Sequence, residues 1–145
     1  MDEILIGIDF GTKRIGVALS STNLLPPSPI TTIHRSKRLG HDIGELIRIA
    51  GNHQATAFIL GLPLLKDGSS GRMANLASEF CRALEKVSPI PVHTVDESFS
   101  SAYADDDLFS RGFTAERVTK LRDAMAACHI IEAWRKATES RKSAE

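Results

Sequence analysis

A chain of 145 residues with 42% hydrophobic content has room for one domain with a full core. Its 18 basic and 18 acidic side chains cancel, which excludes a global field holding it on nucleic acid and leaves that task to local basic patches. Cys81 and Cys128 lack metal-ligand spacing and read as reduced, buried thiols of a cytoplasmic protein, and with no apolar run long enough to span a bilayer and no signal-peptide pattern, no membrane partner is expected.

The first element is the apolar run from Ile4 to Ile8, the pattern of a strand buried on both faces, and it ends in Asp9. Gly11-Thr12-Lys13-Arg14 reads as a tight turn, and Ile15 to Leu19 as the strand that returns. Asn23 to Pro29 is expected to be a proline-rich loop and Ile30 to His34 a third strand completing an antiparallel meander. Leu39 to Ala50 has helical periodicity, Ala55 to Leu62 is a buried strand, and Arg72 to Val87 is an amphipathic helix. Pro91 to Val95 is the last strand and leads into Asp96-Glu97. A short helix over Ser100 to Ser110, ended by Gly112, precedes a helix capped by Thr114 that runs to about Ala137. The order predicts an α/β fold, a mixed five-stranded sheet flanked by helices. Residues 1–138 are expected to form one domain and 139–145 a polar tail.

A carboxylate at the end of a buried strand must be offset by a cation, a metal or hydrogen bonds. Asp9 therefore has three readings: a ligand of divalent metal for phosphodiester hydrolysis, part of a turn cradling ATP phosphates as in actin-like proteins, or a capped hairpin turn. Asp123 begins a helical stripe with Ala127, Ile130 and Trp134 that is otherwise apolar. Either a salt bridge to Arg14, Lys120 or Arg122 or a metal shared with Asp9 and Glu97 would neutralise it. Adjacent strand residues point to opposite faces, so one of Asp96 and Glu97 joins such a site; Glu97 is favoured and Asp96 is the alternative. Carboxylate oxygens suit Mg²⁺ or Mn²⁺, and two such ions can stabilise both the attacking and the leaving oxygen of a phosphodiester. Asp105-Asp106-Asp107 reads as a solvated face, and the five histidines lack zinc-like spacing. Lys13, Arg14, Lys66 and Arg72 are the candidate phosphate contacts, the last two bracketing a glycine-rich loop after Gly61-Leu62-Pro63.

These segments, with Gly7 to Ala18, Asp67-Gly68-Ser69 and Asp123-Ala124-Met125-Ala126-Ala127, resemble the YqgF/RuvX family, Holliday-junction-resolvase-like proteins of the ribonuclease H-like superfamily. The resemblance runs from Ile4 to about Trp134. It implies a ribonuclease H-like fold and a metal-dependent nuclease whose catalytic and metal-binding acids are Asp9, Glu97 (or Asp96) and Asp123. It also implies a substrate that is either small-subunit ribosomal RNA precursor, processed at its 5′ end, or branched DNA. The family's usual Asp-Glu-Arg followed by Leu-Thr-Thr is Asp96-Glu97-Ser98-Phe99-Ser100-Ser101 in this chain. A nucleic-acid or ribosome-associated module with weak catalysis is the second expectation. An ATP-binding fragment is the third, disfavoured because that class needs two such domains around its nucleotide. Monomer and homodimer are both compatible with the sequence.

Overall fold

The expected strands assemble into one five-stranded sheet in the computed structural model, which describes residues 3–21, 24–63, 71–96, 106 and 108–144. Strands β1 (Ile4–Phe10), β2 (Arg14–Ser21) and β3 (Leu24–His34) form the antiparallel meander. Strands β4 (Ala57–Leu62) and β5 (Val92–Asp96) continue the sheet in parallel beyond β1, giving the order β3-β2-β1-β4-β5. Strand β1 thus lies at the centre. It and β4 end at the same edge, where the loops that carry function in parallel sheets gather.

Helices α1 (Leu39–Asn52) and α2 (Arg72–Val87) cover one face, and α3 (Ala115–Ala144) covers the other. Strand alternation sorts the side chains between them. Ile6, Ile8, Ile15, Val17, Phe58 and Leu60 pack with Ile43, Leu46, Phe80 and Leu84 of the helix pair. Leu5, Ala18, Ala57 and Ile59 pack with Met125, Ala127, Ile130 and Ile131 of α3. Asp9 follows the parity of Leu5 and Gly7, so it lies on the α3 face.

The structure differs from the expected bounds in several elements: β1 runs through Phe10, β2 spans Arg14–Ser21 rather than Ile15 to Leu19, α1 continues to Asn52, and β4 begins at Ala57 rather than Ala55. Three further differences have a physical reason. The segment expected as a proline-rich loop is strand, because β3 begins at Leu24 and contains Pro26, Pro27 and Pro29. β3 is an edge strand, where proline is tolerated, and its pairing with β2 shifts register between Val17 and Ala18 and between Leu19 and Ser21. β5 spans Val92–Asp96 rather than Pro91 to Val95, since proline cannot donate to the ladder. The last helix continues to Ala144, beyond the expected end near Ala137, through a segment in which Glu139, Arg141, Lys142 and Ala144 favour helix.

The helix termini follow the expected chemistry. Thr114 Oγ1 accepts a hydrogen bond from the Arg117 N–H at 3.4 Å, capping α3. Ahead of it, Gly112 adopts φ +87° after a helical turn at 108–110. The Phe113 and Gly112 N–H groups donate to the Leu108 and Phe109 carbonyls at 3.1 and 3.0 Å, a glycine-terminated helix end. Most of the predicted short helix, including Asp105 and Asp107, lies outside the described residues.

Candidate active site

Position 9 pairs with Gly16 across the β1–β2 ladder, and position 7 with Ala18. The side of the sheet carrying these residues has almost no side-chain bulk, and α3 sinks into the space. A β-carbon at Gly7 would come within 2.6 Å of the Ala127 carbonyl, one at Gly61 within 2.6 Å of Ile130 Cδ1, and one at Gly16 would overlap the backbone of Asp123. Gly61, in the expected buried strand, makes room for Ile130. The glycines let the helix backbone approach the sheet backbone, and one helical turn separates the carbonyls over Gly16 and Gly7. The approach brings Asp123 to the end of β1, beside Asp9.

The electrostatics of the pair follow from this placement. Asp9 is partly buried, and burial together with the Asp123 charge pushes its carboxyl from 3.8 up to about 7. Asp123 is partly shielded by Arg14, whose Nε donates to Asp123 Oδ2 at 2.8 Å. Of the two arrangements weighed for Asp123, the structure contains the salt bridge, made to Arg14. Asp123 also sits close enough to Asp9 for the two charges to interact.

The other expected site residues distribute as follows. Val95 packs on the α3 side of the sheet while Val92 packs on the α1–α2 side. Asp96 therefore falls on the face opposite Asp9, and the structure does not bring it to the pair. Glu97 and Lys66 lie outside the described residues, as does Ser98. Lys13 is exposed on the β1–β2 turn, and Arg72 is exposed at the first position of α2, so both stand at the sheet edge where β1 and β4 end. Among the described residues no three His, Cys, Asp or Glu side chains cluster at metal-binding distance.

Sequence reasoning missed the network that holds the turn beside Asp9. Arg35, just after β3, donates from its backbone N–H to the Lys13 carbonyl at 2.9 Å and from its guanidinium to the Gly11 carbonyl at 3.3 Å. The same guanidinium lies 4.9 Å from the Phe10 ring centroid and donates from Nε to Asp42 Oδ2 at 3.0 Å. Asp42 is fully buried, and its Oδ1 accepts the Ser36 N–H at 3.0 Å. Burial alone would raise its carboxyl, but the hydrogen bonds from Ser36 and Arg35 and the Arg35 charge outweigh it and hold the group below 3.8. A signal was available: Asp42, Leu46 and Ile49 are spaced as one helical stripe, the same pattern of an acid on an apolar line that singles out Asp123.

A mixed five-stranded sheet in the order β3-β2-β1-β4-β5, with helices on both faces, is the ribonuclease H-like fold. T. thermophilus RuvC in complex with Holliday junction substrate has the same fold, with a TM-score of 0.60 over 94% of this chain and 96% of that chain at 14% identity. The chain belongs to the RuvX family, described as Holliday junction resolvase, whose sequence profile matches residues 3–136. A relative from Rhodobacter capsulatus, named as a candidate pre-16S rRNA nuclease, is 37% identical over 128 residues, 88% of this chain and 80% of its own length. One from Nitratidesulfovibrio vulgaris with the same name is 34% identical over 138 residues, 95% of this chain and 96% of its own.

Proposed function

We propose that this chain is a divalent-metal-dependent nuclease that hydrolyses phosphodiester bonds in ribosomal RNA precursor, at the 5′ end of the small-subunit RNA. The observation that carries this reading is the convergence of Asp9 and Asp123, from opposite ends of the chain, on one face of one sheet edge. Membership of the RuvX family and the names of the relatives support the reaction class and the substrate.

The donor set fits Mg²⁺ or Mn²⁺. Both carboxylates offer hard oxygen donors, and the partly buried Asp9 carboxylate with a like charge beside it is a group that a cation would stabilise. Asp9 and Asp123 would hold the ion together with Glu97, the third acid that the family resemblance implies. When bound, the ion supplies activation of water and stabilisation of the charge that develops at the phosphate. The chain's own residues supply the rest. The close approach of α3 fixes the separation of the two carboxylates, and the Arg35 network fixes the turn. Lys13, Arg14 and Arg72 line the edge with positive charge for the nucleic-acid backbone, without information about its sequence. In this reading the protein works in the cytoplasm, and no described helix is long and apolar enough to cross a membrane.

Cleavage of labelled single-stranded RNA, precursor ribosomal RNA and a four-way DNA junction, each with manganese, magnesium or chelator, tests the proposal. The expected result is metal-dependent cleavage of the RNA precursor that Asp123→Asn abolishes. The family's description favours a second reading, resolution of branched DNA. Symmetric cleavage of the junction by a homodimer, with the precursor left intact, would establish it. No cleavage of any substrate would overturn both and leave a ribosome-associated binding module.

A further inference from the structure

The Arg14–Asp123 pair occupies a carboxylate that the proposed site needs for its cation. A guanidinium stays charged at any working pH, so it competes with a metal for the same oxygens and repels the ion while it remains there. The Arg14 side chain is 48% exposed and that of Asp123 22%, and ion pairs with this much access to water are weak. The backbone under Arg14 is fixed. Residue 14 pairs with His34 across the β2–β3 ladder, and the neighbouring Lys13 carbonyl accepts the Arg35 N–H at 2.9 Å. Only the side chain of Arg14 is free to change partners. The planar fork that binds a carboxylate binds a phosphate equally well, and position 14 stands at the edge where Lys13 would meet a nucleic-acid backbone.

We propose that Arg14 couples metal binding to nucleic-acid binding: it holds Asp123 in the free chain, and a backbone phosphate draws it away and releases the carboxylate to a divalent cation. The inference rests on the nuclease reading of the site. It makes the free chain a poor metal binder and the substrate-bound chain a good one. By linkage the effect is reciprocal, so the cation tightens nucleic-acid binding by the same factor.

The test is a manganese titration of the intact protein, followed by the resonance signal of the free ion, with wild type, Arg14→Gln and Asp9→Asn. Thermal unfolding of each variant confirms that it is folded. Each is titrated alone, with a phosphorothioate oligonucleotide that keeps the backbone charge, and with an uncharged methylphosphonate oligonucleotide of the same sequence. Arg14→Gln alone is expected to bind manganese roughly fivefold more tightly than wild type. The charged oligonucleotide is expected to tighten binding to wild type roughly fivefold more than to Arg14→Gln, and the uncharged one to do so for neither. Manganese binding that Asp9→Asn abolishes but that is equal in wild type and Arg14→Gln would overturn the coupling alone. Binding that survives unchanged in Asp9→Asn would overturn the metal reading of the site and the coupling with it.

Discussion

The backbone of Gly16 lies directly beneath the backbone of Asp123, so close that a β-carbon at position 16 would overlap the Asp123 carbonyl. Neither flexible side chains nor water separate the two, and the position of the helix carboxylate is set by main chain on main chain. Gly16→Ala must therefore displace α3 from the sheet. We expect a loss of about 3 kcal/mol or more in denaturant unfolding and loss of manganese binding in whatever fraction remains folded. The opposite sign is expected at Gly44, inside α1, where a β-carbon meets nothing within 4 Å. Gly44→Ala should raise stability by about 0.5–1 kcal/mol.

Asp9 gives the protein a measurable dependence on pH. Its carboxyl moves from 3.8 in the unfolded chain to about 7 in the folded one. Between those values the folded state binds the extra proton, so stability is highest at the acid end of the window and falls as pH rises through it. Asp9→Asn removes this cost, and its stability relative to wild type should be greater at pH 8 than at pH 4 by roughly 2–4 kcal/mol. Thermal or urea unfolding at the two values checks it, and equal differences would refute the burial argument. A cation bound at Asp9 must also displace that proton. Manganese affinity should then weaken about tenfold for each pH unit below 7.

The Arg35–Asp42 pair is expected to be costly to break from either side. Asp42 is fully buried, so Arg35→Ala leaves an uncompensated charge and should destabilise the chain by about 3–5 kcal/mol. Arg35→Lys keeps the charge but loses the fork that reaches Asp42 and the Gly11 carbonyl together, and a smaller loss is expected. The folded carboxyl of Asp42 lies below its ordinary 3.8, so its contribution is complete above that value and disappears as pH falls through the folded one. The acid limb of a stability–pH curve should therefore be flattened in Asp42→Asn.

Both cysteines should be inert in the folded protein. Cys81 is buried, and burial, with its hydrogen bond to Glu85 and the charge of that residue, pushes its thiol up to about 12. Cys128 is fully buried on the sheet-facing side of α3. A thiol reagent at pH 8 should label neither residue until denaturant is added, since the thiolate is the reacting form.

What was legible in the sequence was whatever follows from hydrophobic period and local chemistry. The strand ending in Asp9, the bounds of α2 and the Thr114 cap need only a short stretch of chain to specify them. Asp123 was visible because an acid on an apolar helical stripe conflicts with its surroundings. The extent of β3 was not visible, because its prolines are acceptable only in a strand with a free edge, and strand order is a property of the whole sheet. Nor was the role of Gly7 and Gly16: a glycine that admits a helix backbone looks the same as one that makes a turn until the helix is in place. Arg35 was missed for a related reason, since its partners Gly11, Lys13 and Asp42 lie on separate elements.

The glycine trough has a consequence for timing. Asp9 leaves the ribosome more than a hundred residues before Asp123, which α3 carries. The two carboxylates meet only after that helix has settled onto the sheet. During synthesis the nascent chain therefore carries half of the pair and lacks the other, and a protein proposed to cut RNA stays unarmed beside the RNA-rich machine that builds it.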